Sequence, residues 1–83
     1  MNKLSNTNIL KLYRSNVLIG STYQHYKGSL YQIKDIVLYE KTVKPLIIYQ
    51  DKSNLDLVWA RNFDDFFCNV TIDNHIIPRF KLV

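Results

Sequence analysis

Along the first part of the chain apolar residues recur every three to four positions, and beyond Gly20 they recur every second one. Ile9, Leu10, Tyr13 and Val17 carry the first period, which predicts a short amphipathic helix. The polar run Ser5-Asn6-Thr7-Asn8 before it offers several N-caps, and Asn16 can end it. A frayed arm fits residues 1–19 nearly as well, so this segment is expected to be a helix or an arm. Residues 20–83 are expected to form a complete small β domain.

Within that domain the apolar face runs through Tyr31 and Ile33, then through Ile36 and Leu38. The phase slips by one residue at Lys34-Asp35, which predicts a β-bulge, since otherwise the buried face would turn outward. Leu46-Ile47-Ile48-Tyr49 is a continuous apolar run and suits a central strand. Asp51-Lys52-Ser53-Asn54 reads as a hairpin loop, and Leu57 to Arg61 alternates again. Asn62-Phe63-Asp64-Asp65 reads as one helical turn capped by Asn62. Phe66, Cys68, Val70 and Ile72 alternate and predict a further strand. Asp73-Asn74 suits a two-residue turn with positive φ. Ile76 to Val83 is the last strand, where Pro78, having no N–H to donate, restricts it to an edge or to the strand's first residue. Gly28 marks a turn between Tyr26 and Leu30. About five short strands at close spacing predict a mostly β fold. The expected form is a small five-stranded antiparallel barrel or curled sheet, of Src-homology-3-like size.

Composition narrows the function. A chain of 83 residues is one domain, burying only about 60% of its unfolded surface. With 47% apolar and 22% charged residues, disorder is excluded. The net charge of +4 comes from scattered lysines and arginines, which favours an anionic partner without making a basic arm. Cys68 stands alone, so no internal disulfide can form, and charges at Lys3, Lys11 and Arg14 break any signal-like apolar run. No stretch approaches a membrane span, and a cytoplasmic protein is expected. With one Cys and two His there is no zinc spacing, and there is no phosphate loop or nucleophile elbow. Neither a metal nor a cofactor is expected, and the chain is read as non-enzymatic.

Three stretches carry candidate binding residues. In Thr22 to Ile33, His25 and Lys27 flank a glycine turn beside Tyr23, Tyr26 and Tyr31. A lysine next to glycine can aim its ammonium at an anion, which the bare backbone lets approach. Trp59 and Arg61 are two apart and share a strand face. A guanidinium can stack on a ring and still hold a carboxylate or phosphate in its fork. The plain alternative is a structural Arg61 bonded to Asp64, Asp65 or backbone carbonyls. In Ile77-Pro78-Arg79-Phe80 the proline fixes φ and aims Arg79. Cys68, alternating with Phe66 and Val70, is expected to be a small buried hydrophobe.

These residues together resemble a small bacterial and phage family, the domain-of-unknown-function family numbered 1653. Its opening signature, Tyr-Arg-His-Phe/Tyr-Lys-Gly, two residues, Tyr, is similar to Tyr23-Gln24-His25-Tyr26-Lys27-Gly28 and Tyr31 here. Its later landmarks correspond to Tyr49, to Trp59-Ala60-Arg61, to Phe66 and to Ile77-Pro78-Arg79-Phe80. The pattern runs along residues 22–83 without gaps. This chain departs from it at Tyr39, where the family has His, at Asn54-Leu55 for its Gly-Asp, at Asn62 for its Pro, and at Cys68, where Glu is common. The missing His removes a residue that a catalytic role would have used. The resemblance implies a small mostly β fold and no assigned activity. Richness in Asn, Lys, Ile and Tyr suits a phage or a low-GC bacterium.

The expected function is a binding module with a pocket of Tyr26, Tyr31, Tyr49 and Trp59, where Lys27, Arg61 and Arg79 supply charge and His25 is a further ligand-binding residue. Its ligand would be an anionic small molecule, a nucleotide-like compound or an acidic peptide. Two alternatives stay open: nucleic-acid binding across a β surface, and interaction with a protein partner, or homodimerisation, through the edge of the last strand.

Overall fold

A computed structural model describes residues 5–83, so the first four residues of the expected arm lie outside the described residues. Helix α1 runs Asn6–Asn16, and Ser5 caps it by accepting the Asn8 N–H on Oγ at 3.1 Å. Leu10 and Tyr13 pack on the core, and Val17, just past the helix, is buried in it. The helix is therefore seated on the sheet rather than free.

Five antiparallel strands form the main sheet: β1 Thr22–His25, β2 Leu30–Tyr39, β3 Lys44–Asp51, β4 Val58–Asn62 and β7 Phe80–Leu82, in the order β4-β3-β2-β1-β7. A separate hairpin pairs β5 Asn69–Ile72 with β6 His75–Pro78. The fold is mostly β with a short N-terminal helix. The sheet is open: β4 and β7 are its two edges and do not pair, so no barrel closes. The physical reason lies in the last segment, which was expected to be one strand over Ile76 to Val83. Pro78 ends β6, since it has no N–H for the ladder. Arg79 then carries the chain from one sheet to the other. Its N–H donates to the Cys68 carbonyl at 2.9 Å, and its own carbonyl accepts from the Tyr26 N–H at 2.9 Å. Only three residues are left for β7.

Two further expectations change. Phe66 belongs not to a strand but to the helical turn α2, Phe63–Phe66, because its ring is drawn into the core with no exposed surface. Asn62 precedes that turn but makes no side-chain cap. The turn at Asp73-Asn74 does take positive φ at both residues, 50° and 64°, joining Ile72 directly opposite His75. Gly28 also sits at positive φ, 111°, where its N–H closes the turn onto the His25 carbonyl at 2.7 Å.

The bulge falls where the phase slips. The β2–β3 register breaks between Ile33 and Asp35, leaving Lys34 without a partner. Ile33 and Ile36 are three residues apart, yet both have no exposed surface. Asp35 Oδ1 accepts from the Ile36 N–H at 2.8 Å and from Arg14 Nη2 at 3.0 Å, while Nη2 also donates to the Ile36 carbonyl at 3.0 Å. The bulge thus doubles as the anchor of α1. Deleting Lys34 restores strict alternation and keeps both isoleucines inside. We expect it to cost about 1 kcal/mol through the loosened Arg14 anchor, well below the roughly 2–5 kcal/mol of emptying a core isoleucine site. Deleting Gln32 instead turns Tyr31 out of phase with Ile33 and should unfold the domain, and urea denaturation of the two deletion variants measures both effects.

Val43, at the β2–β3 hairpin, holds φ 58° with its side chain exposed. A β-branched residue is strained in that left-handed region. Val43→Gly should therefore raise stability by about 0.5–1 kcal/mol, net of glycine's entropy, in chemical denaturation. An unchanged or lower midpoint would show that the hairpin bears no such strain.

Candidate functional site

Cross-strand register decides which side chains share a face. Ile47 stands opposite Arg61, and Tyr49 opposite Trp59. Ile47 and Tyr49 are buried in the core, so Trp59 and Arg61 lie on the core face, at the edge strand β4. On the other flank His25 stands opposite Phe80, and Tyr23 opposite Tyr31.

Phe80 is the hub where these rows meet. Its ring stacks on Phe66 at 4.0 Å between centroids, and it meets His25 at 4.9 Å, Tyr49 at 5.6 Å and Tyr31 at 5.9 Å, all edge-on. Tyr31 and Tyr49 meet each other at 5.3 Å. The Arg61 guanidinium carbon lies 5.9 Å from the centre of the Phe80 ring. Arg61 is half-buried, and among the described residues its side chain makes no hydrogen bond. The one ion pair among them joins Arg14 to Asp35. The alternative in which Arg61 is held by Asp64 or Asp65 is not what the geometry shows.

Arg79 comes near His25 from the β6–β7 link, close enough for its charge to act on the ring. Its Nε donates to Cys68 Sγ at 3.3 Å, and that thiol donates to the Asp65 carbonyl at 3.1 Å. Cys68 is half-buried and acts as a polar strut for Arg79, not as a sealed hydrophobe. Its even spacing from Phe66 and Val70 hid this role, because Phe66 is helical. The Nη groups of Arg79 make no hydrogen bond among the described residues.

His25 sits between these cations. Its Nδ1 accepts the Lys27 N–H at 3.1 Å, and its ring lies 4.4 Å from that of Tyr26. Burial lowers its pKa, and the positive charges of Arg61, Arg79 and Lys27 lower it further, so the ring is neutral near pH 7. The Lys27 ammonium lies 5.8 Å from the Tyr26 ring centre. Burial raises the pKa of Tyr49, against the opposing pull of Arg61 and Arg79.

The structure therefore brings His25 and Arg61 to Phe80, sets Tyr26 against His25, and holds Lys27 and Arg79 near enough to His25 for their charges to act on it. It does not arrange the tyrosines as one open pocket. Tyr49 is core, and Tyr31 is packed against Tyr49 and Phe80, so both form a floor. Trp59 is 48% exposed and stacks on no other ring among the described residues. It stands at the outer rim. A cleft of about 280 Å³ is bordered by His25 and Tyr26 together with Gln24, Gly28, Ile77, Pro78 and Lys81. Sequence reasoning missed Phe80 as the hub. The signal was the Pro78-Arg79-Phe80 order, which forces Arg79 and Phe80 to opposite sides of the chain. Among the described residues no group of three potential ligands is placed to hold a metal ion, and no helix is long and apolar enough to cross a membrane.

Searches of curated proteins and of solved structures return no match. A family model does match, over residues 21–82, and its span takes in every residue of the cluster while leaving out α1. The expected resemblance is thereby established: the chain belongs to the family described as protein of unknown function, DUF1653.

Proposed function

We propose that the domain is a non-enzymatic module that binds an anionic small molecule at the cluster around Phe80. One observation carries this reading. Arg61 is half-buried on the core face, lies over an aromatic ring, and has no hydrogen bond or ion pair among the described residues. Removing a cation from water without pairing it costs free energy, and an anion bound in its fork would repay that cost. Arg79, held by Cys68 with its Nη groups free, supplies a second fork. Among the described residues of the cluster we find no set of nucleophile, base and oxyanion donor, and we keep the reading to binding. The free thiol of Cys68 is compatible with a reducing compartment and supports reading the module as a cytoplasmic one.

A second reading has its own observation. β7 is an edge of the main sheet, with Leu82 exposed on it, and an extended segment of a protein partner could add there. Native mass spectrometry of the freshly purified protein separates the two. An adduct of a few hundred daltons supports the small-molecule site. A clean monomer mass that stays unchanged with both phosphate and carboxylate probes overturns it, and a dimer mass favours the edge.

A further inference from the structure

The cations gathered about His25 can only donate hydrogen bonds. In the neutral imidazole of His25 one nitrogen carries the proton, and Nδ1 is already the acceptor of the Lys27 N–H. The proton therefore sits on Nε2, which makes no hydrogen bond among the described residues and is free to donate. The other groups, the Arg61 guanidinium, the Arg79 Nη atoms and the Lys27 ammonium, only donate. They come from three separate parts of the fold: β4, the β6–β7 link and the β1–β2 turn.

Charge and shape narrow what such a site takes. Three cations act on His25, and none of them is in an ion pair among the described residues. Asp65 is the carboxylate that acts on Arg79, and even counting it two positive charges remain. A planar carboxylate is satisfied by one guanidinium fork and brings a single charge. A phosphate monoester brings nearly two charges at neutral pH and three oxygens pointing in different directions. The cleft of about 280 Å³ that shares His25 and Tyr26 gives the rest of such a molecule a place beside the cluster.

Building on the anion-binding reading, we propose that this site takes the phosphoryl group of a phosphate monoester, and that His25 gains a proton from solvent as the dianion enters. The groups facing His25 are Tyr26 and Lys27 on its own turn, Arg61 from β4, Arg79 from the β6–β7 link and the Phe80 ring from β7. In the free protein the cations help to hold His25 neutral. A bound dianion cancels their field and itself favours the imidazolium, so the His25 pKa rises on binding. Between the free and bound midpoints the complex holds more protons than the free protein. Affinity must then increase as pH falls through that window, by about tenfold for each pH unit the midpoint moves.

Sulfate is the suitable probe, because it stays a tetrahedral dianion where phosphate itself would titrate. The His25 ring nitrogens are followed by long-range 1H–15N NMR on the full chain, with sulfate, with acetate and with chloride at matched ionic strength. We expect the free ring to show the Nε2–H form. Sulfate should raise its midpoint by about one unit and bind about tenfold tighter at low pH than at high, and acetate should do neither. Phenyl phosphate should bind more tightly than sulfate, by filling the cleft. Equal responses to sulfate and acetate with an unmoved midpoint would overturn this inference and leave the broader anion site standing. No response to any anion beyond chloride would remove both. His25→Gln keeps a donor but cannot titrate, so sulfate binding should lose its pH dependence. If the variant binds sulfate with the original slope, His25 is not the proton acceptor. If it fails to fold, the wild-type midpoint alone decides.

Discussion

Replacing Phe66 with alanine should strip the domain of a large part of its stability at room temperature. The Phe66 ring has no exposed surface and is among the largest fully buried side chains. It stacks flat on Phe80 and meets Tyr23, Tyr49 and Phe67 edge-on, at 5.4, 5.3 and 4.9 Å. Truncating such a ring removes about 3–5 kcal/mol of transfer and packing energy. A domain of this length holds only roughly 4–12 kcal/mol in total, at roughly 0.05–0.15 kcal/mol per residue. The loss is also structural in a second sense: Phe66 is the only fully buried residue of α2, the turn that brings Asp65 and Cys68 to Arg79. Phe66→Leu keeps most of the volume and should cost clearly less, within about 1–2 kcal/mol. Urea denaturation followed by tyrosine and tryptophan fluorescence reads both. A Phe66→Ala protein with a near wild-type midpoint would mean that the stacked pair is not the centre of the core.

Arg61→Ala has the opposite profile: a small change in stability and a large one in binding. Its stabilising contact is the approach to Phe80, which at a half-exposed site is worth about 0.5–1 kcal/mol. The midpoint of unfolding should therefore move little. Its binding contribution is a fork of charge-assisted hydrogen bonds, each worth about 1.5–3 kcal/mol. Losing two of them weakens an anionic ligand by about a hundredfold or more. Arg61→Lys keeps the charge but not the fork, and should fall in between. Calorimetry with phenyl phosphate, alongside urea denaturation of the same samples, gives both numbers. An unfolded Arg61→Ala protein would make Arg61 a structural residue. Unchanged affinity in a folded one would move the site away from β4.

Period and turn chemistry made most of the fold legible. The bulge at Lys34 was readable because a single slip of phase in an otherwise regular strand has one physical resolution. Asp73-Asn74 was readable because two residues that tolerate positive φ stood between two strands. The Pro78-Arg79-Phe80 run was harder. Its alternation looks continuous, and only the hydrogen bonds of Arg79 to Cys68 and Tyr26 show that it serves two sheets. Phe66 misled for the same reason. Alternation through Cys68 and Val70 is a local pattern, whereas its helical turn is set by burial against Phe80.

The candidate site divides in the same way. Family landmarks and residue chemistry singled out His25, Lys27, Arg61 and Arg79 one by one, because guanidinium, ammonium and imidazole beside aromatic rings and a glycine turn are uncommon choices for a core. The tyrosines were grouped with them on chemistry alone, and packing separated them: Tyr49 went inside, Tyr31 became floor, and Trp59 stayed at the rim.

The sequence by itself determined the class of fold, the bulge, the tight turns and the family. All of these follow from interactions between residues near in the chain, or from the order of residues along it. Tertiary structure alone decided that the sheet stays open, that Phe80 is the hub, and that Arg61 is left without a partner. Each of these depends on which strands lie side by side, and residues as distant as His25, Arg61 and Phe80 meet only once the whole sheet has formed.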